Sequence, residues 1–147
     1  MREKVNNPNQ IRVNIENGLA NVTTAEGRFH VAPRGGTSAV ASCPMCLMLG
    51  ALGSCIMLTL NAVAVHKEID LGNSWISLDY IKEDDSKTRF LVDVTLDPRL
   101  TDREQKILFR SARLCDVGKI LKSDVQIDYS LLDQDHSPVS LKTVQAG

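Results

Sequence analysis

An α+β fold is what this chain predicts, and three observations carry that reading. Short apolar/polar alternating segments, set off by turn residues, occupy the first third and recur after residue 75. Between them, Gly35 to Val65 contains no charged side chain and is long enough for an extended helix. A capped amphipathic segment then begins at Thr101. Strands, helix, strands, helix and strand in that order make the two structure types segregate along the chain.

Each element has a local reason. Ile11 to Ile15, Leu19 to Thr24 and Arg28 to Ala32 are three short strands. Asn17-Gly18 and Glu26-Gly27 punctuate them, which suits an antiparallel meander. Pro33-Arg34-Gly35-Gly36 ends the sheet and starts a loop. Pro44 fits the first turn of the apolar helix, with Ser42 or Cys43 before it as cap. That helix ends after His66-Lys67, and Leu71-Gly72-Asn73 turns the chain. Ile76, Leu78 and Tyr80 alternate with polar residues, as do Phe90, Val92, Val94 and Leu96. These are two strands joined by a charged turn around Asp84-Asp85-Ser86. Thr101-Asp102-Arg103-Glu104 is a capping box opening a second helix, whose inner face is Ile107, Leu108, Ser111 and Ala112. A shorter helical piece follows Cys115, and Val125 to Leu131 alternates as a closing strand. From Asp133 the chain is polar and reads as a loose tail.

Composition narrows the function. A chain of 147 residues reads as one domain over 1–147, with its core at about 10–132. Net charge is −1 with 24% charged residues, so neither a nucleic-acid footprint nor an acidic tail is present. Met1-Arg2-Glu3-Lys4 leads into Asn- and Pro-rich sequence without the apolar core of a secretory signal. Four cysteines in that context point to a reducing, cytoplasmic setting in which redox or metal chemistry outranks structural disulfides. Met45 to Val65 has the length of a membrane span. Gly50, Gly53, Ser54, Thr59 and Asn61 within it, and the patterned elements around it, favour the centre of a soluble fold instead, with no membrane partner. A helix apolar around its circumference needs more cover than one small sheet supplies, and a second copy of the chain is the simplest remedy.

The cysteines carry the chemistry. Cys55 lies in Ala51-Leu52-Gly53-Ser54-Cys55, inside the uncharged run. Cys115 opens Cys115-Asp116-Val117-Gly118-Lys119-Ile120-Leu121, where one helix ends and another begins. A thiol in a water-poor setting is either an inert space-filler or a nucleophile whose ionisation its surroundings control. At a helix N-terminus the Cys115 sulfur would be favoured as thiolate, whereas Asp116 opposes its ionisation. Cys43-Pro44-Met45-Cys46 is a C-x-x-C at a helix start, a pattern suited to redox chemistry or to half of a metal site. His30 and His66 are the residues that could complete a zinc set, although no metal site is expected, and His136 in the polar tail reads as exposed.

In order and spacing these features resemble the OsmC/Ohr family of thiol-dependent hydroperoxide reductases. That family has a Gly-rich loop before a Pro-led helix start, then Ala-(Leu/Ala)-(Gly/Ala)-(Ser/Ala)-Cys on a buried helix. Later come a hairpin, a Cys-Pro-Val-x-x-x-Leu motif and a last strand. Gly35-Gly36, Pro44, Ala51 to Cys55, Cys115-Asp116-Val117 with Leu121, and Val125 to Leu131 match in turn. The resemblance implies antiparallel sheets wrapped around a long buried central helix, in an intertwined homodimer. It implies that Cys55 attacks the peroxide and Cys115 resolves the sulfenic acid, with Arg34 as the positive partner of the thiolate. Arg28 is a rival for that place, better suited to a strand face. No flavin, haem or nicotinamide motif is present, so no cofactor is expected and an external dithiol must supply the electrons.

Two departures stand out. The family proline after the second cysteine is Asp116 here. The glutamate that holds the family arginine should fall after Pro44, where this chain has Met45 and Cys46. Two other functions therefore stand beside the peroxidase: a non-catalytic protein binding an apolar small molecule in the dimer cleft, and a zinc or redox-sensing module built on Cys43 and Cys46.

Overall fold

The computed structural model describes residues 10–33 and 42–140, and its architecture is the expected α+β arrangement. Strands β1 (Arg12–Glu16), β2 (Leu19–Thr23) and β3 (Arg28–Val31) form an antiparallel meander in sequence order. Its first turn needs left-handed backbone at two successive residues, and Asn17 and Gly18 supply it with φ of 53° and 75°. In the second turn the Thr24 hydroxyl accepts from the backbone N–H groups of Glu26 and Gly27. The end of β3 is tied to the start of the central helix, because the Ala32 N–H donates to the Ser42 carbonyl at 3.1 Å.

Helix α1 runs from Pro44 to His66, capped by Cys43 rather than by Ser42. Proline at the first position loses no hydrogen bond, since that N–H has no intrahelical acceptor. Leu52, Ile56, Leu60 and Ala64 recur every four residues and form its buried stripe. One face of α1 packs on strand β4 (Trp75–Lys82), which pairs antiparallel with β5 (Thr88–Thr95). Gly53 makes that approach possible: a Cβ there would stand 2.7 Å from a Leu78 methyl. The same stripe meets α2 (Asp102–Ser111) and α3 (Asp116–Lys122), the two linked by a 3-10 turn at Ala112–Leu114. Leu60 and Leu108 are fully enclosed in this core. Each contributes roughly 1.5–3 kcal/mol by leaving water.

Capping fixes where the later elements begin. The Thr101 hydroxyl accepts the Glu104 N–H while the Glu104 carboxylate accepts the Thr101 N–H, the reciprocal box expected. Just before it, buried Asp97 accepts from the Asn73 N–H, from the Arg99 N–H and from the Arg99 guanidinium. The Arg99 side chain and these N–H groups hold its carboxyl well below the usual carboxylate range. This cluster fastens the turn after α1 to the end of β5.

One expectation needs correction. Residues 125–131 belong to neither sheet, and Val125, Ile127, Tyr129 and Leu131 are all exposed. Alternation marks a segment fit to be a strand, yet a strand exists only where its backbone pairs with a neighbour, and among the described residues neither sheet takes this segment in. The described residues after Asp133 form a local hydrogen-bonded turn. The N–H groups of Asp135 and Ser137 donate to the Asp133 carboxylate, and the Val139 N–H donates to the Leu131 carbonyl. One chain covers α1 only in part, in keeping with its apolar circumference. Its stripe is buried, but Leu47, Met48, Leu58 and Val65 on other faces are exposed in the single chain.

Candidate active site

Cys55 sits one residue before Ile56 on the buried stripe of α1, half-buried, and packs against the core. Its register comes from the helix that Pro44 starts and the stripe holds in place. The backbone around it is regular, with the Thr59 hydroxyl donating to the Cys55 carbonyl at 2.8 Å.

Cys115 lies in the extended joint between the 3-10 turn and α3, and only 2% of it is exposed. It is the N-cap of α3: its sulfur accepts the Gly118 N–H at 3.2 Å. Glycine at position 118 is a steric requirement of that contact. A Cβ there would lie 2.9 Å from the Cys115 sulfur and 3.7 Å from a Leu52 methyl.

The fold brings these two thiols together. Cys55 lies near enough to Cys115 to act on its ionisation. Burial pushes the Cys115 thiol up from its ordinary value. The Gly118 N–H works against that shift, Cys55 adds to it, and the Lys122 charge opposes it weakly. Desolvation wins, so Cys115 holds its proton where a solvated thiol would be losing it.

Beside the pair is a groove of about 460 Å³. Leu52, Ile56, Phe90, Val92 and Phe109 give it apolar walls, Cys115 forms part of its lining, and Arg113 and Lys122 bring two positive charges to it. Neither cation nor the groove was foreseen from the sequence. The alternation of Phe90, Val92 and Val94 marked one wall, but only the packing of α2 and α3 opposite β5 creates the cleft.

Of the other expected site residues, Arg34 lies outside the described residues, as do Gly35 and Gly36. Arg28 is exposed at the start of β3, on a strand as its pattern suggested. Met45 is half-buried and Cys46 exposed in the first turn of α1. There, Cys43 and Cys46 form a second sulfur pair with their Sγ atoms 2.9 Å apart. Among the described residues no three His, Cys, Asp or Glu side chains cluster as a metal-ligand set. His136 is exposed at the turn after Asp133.

With this geometry in hand, the sequence matches the OsmC-like protein family over residues 34–130, well over half of the chain. The chain belongs to the OsmC-like family. No curated protein matches it. Solved structures share its fold at low identity. The OsmC-like protein of Mycoplasma pneumoniae is 12% identical with a TM-score of 0.59, covering 84% of this chain and 91% of its own. An organic hydroperoxide resistance protein of Elizabethkingia anophelis is 17% identical with a TM-score of 0.56, over 82% and 93%. The organic hydroperoxide resistance protein OhrB of Bacillus subtilis is also 17% identical, with a TM-score of 0.53 over 78% and 90%. The α1 helix is long and apolar enough to cross a membrane, but in this family fold its stripe is the core against which the other elements pack.

Proposed function

We propose that this OsmC-like protein is a thiol-dependent hydroperoxide reductase of oxidative-stress defence, in which Cys55 attacks and Cys115 resolves. The observation that carries the reading is the nearness of two thiols beside an apolar groove. The Cys55 thiolate displaces on the terminal peroxide oxygen; the O–O bond breaks and the alkoxide takes a proton to leave as alcohol. Cys55 is then a sulfenic acid. The Cys115 sulfur attacks it, the S–O bond breaks, and water leaves as the disulfide forms. An external dithiol returns both cysteines to thiols, so two electrons pass from dithiol to peroxide without a resident cofactor.

The division of roles follows from the environments. Cys115, its thiol raised by burial and by Cys55, stays protonated and can donate toward a Cys55 thiolate. Arg34 is the proposed positive partner of that thiolate, with Lys122 and Arg113 on the groove as the described cations nearby. The apolar walls suit the organic substituent of a hydroperoxide. We place the protein in the cytoplasm, where dithiol reductants are maintained.

A homodimer belongs to the same proposal. The exposed apolar side chains of α1, Val13, Ile15 and Phe29 of the meander, and those of the 125–131 segment are the surfaces that support it. A second copy would cover them.

Met45 at the place of the family glutamate favours a second reading, in which the groove holds an apolar ligand without turnover. The decisive test is consumption of an organic hydroperoxide in the presence of a dithiol. The wild type should turn over, Cys55→Ser should fall to background, and Cys115→Ser should stop after one turnover. A wild type no faster than Cys55→Ser overturns the peroxidase and leaves ligand binding.

A further inference from the structure

The peroxidase chemistry leaves Cys43 and Cys46 unused. They lie three residues apart across the first turn of α1, with Cys43 at the extended cap position and Cys46 inside the helix, a C-x-x-C arrangement. Their Sγ atoms are 2.9 Å apart. Cys43 is the N-cap, and its sulfur accepts the Cys46 N–H at 3.4 Å. The first turn of this 23-residue helix carries no acidic side chain to oppose a negative charge there. Cys43 is half-buried and Cys46 exposed, so the pair is open to solvent.

The pair is also cut off from the peroxidatic site. Cys46 precedes Cys55 by nine residues on one helix, which separates them by roughly 13 Å. Sulfur-to-sulfur exchange between the two sites within one chain is therefore ruled out by distance.

We infer that Cys43 and Cys46 form a second thiol–disulfide exchange site, acting on disulfides of other molecules. The Cys43 thiolate attacks one sulfur of an exposed disulfide; that S–S bond breaks and the released thiolate takes a proton. The Cys46 thiol loses its proton and its sulfur attacks the Cys43 side of the mixed disulfide. A Cys43–Cys46 bond forms, and the second substrate sulfur leaves as thiol. Two electrons pass from the pair to the substrate, and an external dithiol restores the pair. The helix N-terminus assigns the attack to Cys43, because the backbone N–H that stabilises a sulfur anion points at it. This inference stands whether or not the protein reduces peroxides.

The full-length protein and its Cys55→Ser variant, which removes the peroxide-driven route, are incubated with oxidised glutathione, then alkylated and mapped by mass. In both, the peptide spanning Cys43 and Cys46 should lose two hydrogens and escape alkylation. Cys46→Ser should trap glutathione on Cys43, since the resolving thiol is gone. Cys43→Ser should carry at least about tenfold less adduct, as expected when the remaining thiol lacks the N-cap contact. Full alkylation of both cysteines in the wild type overturns the site. Equal adducts on the two serine variants, or more on Cys43→Ser, overturn the assignment of Cys43.

Discussion

Cys43 and Cys115 occupy the same local position in two helices, and their surroundings are opposite. Each is an N-cap whose sulfur accepts the N–H three residues on, at 3.4 Å for Cys43 and 3.2 Å for Cys115. Each has a second cysteine as neighbour, Cys46 in sequence and Cys55 across the fold. One pair is open to solvent, whereas Cys115 is closed in by α1 and α3. The lesson concerns which effect decides a thiol's behaviour. At Cys115 the helix N–H pulls the thiol down and burial pushes it up, and burial is the larger. In the interior the same cap is outweighed by burial; at the surface it meets less of it.

The comparison breaks most severely if the interior is opened. Leu60 is fully enclosed on the stripe that carries Cys55 close to Cys115. Leu60→Ala should cost about 2–5 kcal/mol of stability, measured by denaturant unfolding. It should also raise the alkylation rate of Cys115 toward that of Cys43. A cost below about 1 kcal/mol would mean that the stripe is not the core it is described as.

A smaller change sharpens the comparison at the cap itself. Gly118→Ala puts a methyl against the Cys115 sulfur, with Leu52 behind it. The expected cost is about 1–3 kcal/mol, with slower disulfide formation between Cys55 and Cys115. The Cys43–Cys46 pair, in the first turn of α1, should be untouched. Unchanged stability and unchanged disulfide formation would show that the sulfur does not rest on the α3 N–H.

The smallest effect is alkaline. The Cys115 thiol is raised in the folded chain, so the folded state binds its proton more tightly than the unfolded state. Its stabilising contribution is complete below the ordinary thiol range, near about pH 8.5, and is lost as pH rises through the higher folded value. Stability followed from pH 7 upward should decline on the alkaline side, and Cys115→Ser should flatten that decline. An equal decline in both proteins would remove burial as the dominant influence on this thiol.

Much of this was legible in the residues because it is local. Asn17-Gly18, Pro44 and the Thr101-to-Glu104 box act within four residues and gave turns and helix starts where they were expected. The motifs at Cys55 and Cys115 were legible through their family resemblance, and the fold sets the two residues near one another. What depends on distant surfaces was not legible. The 125–131 segment has the pattern of a strand, but pairing is decided by its neighbours in the fold. The uncharged helix announced that one small sheet could not cover it, but not which stripe a single chain would bury. The groove arises where β5 faces α2 and α3, and no local pattern encodes that meeting. Cys43 and Cys46 were legible as a C-x-x-C at a helix start; the fold adds the separation of their sulfurs and the capping role of Cys43.

The central claim is that the interior thiols act as a couple under peroxide while the surface pair answers to disulfides. Treating the reduced protein with one equivalent of an organic hydroperoxide, followed by alkylation and peptide mapping, tests it directly. The account predicts a Cys55–Cys115 linked peptide with Cys43 and Cys46 both alkylated, and no such linkage in Cys55→Ser. A Cys43–Cys46 bridge formed while Cys55 and Cys115 remain alkylatable would contradict it.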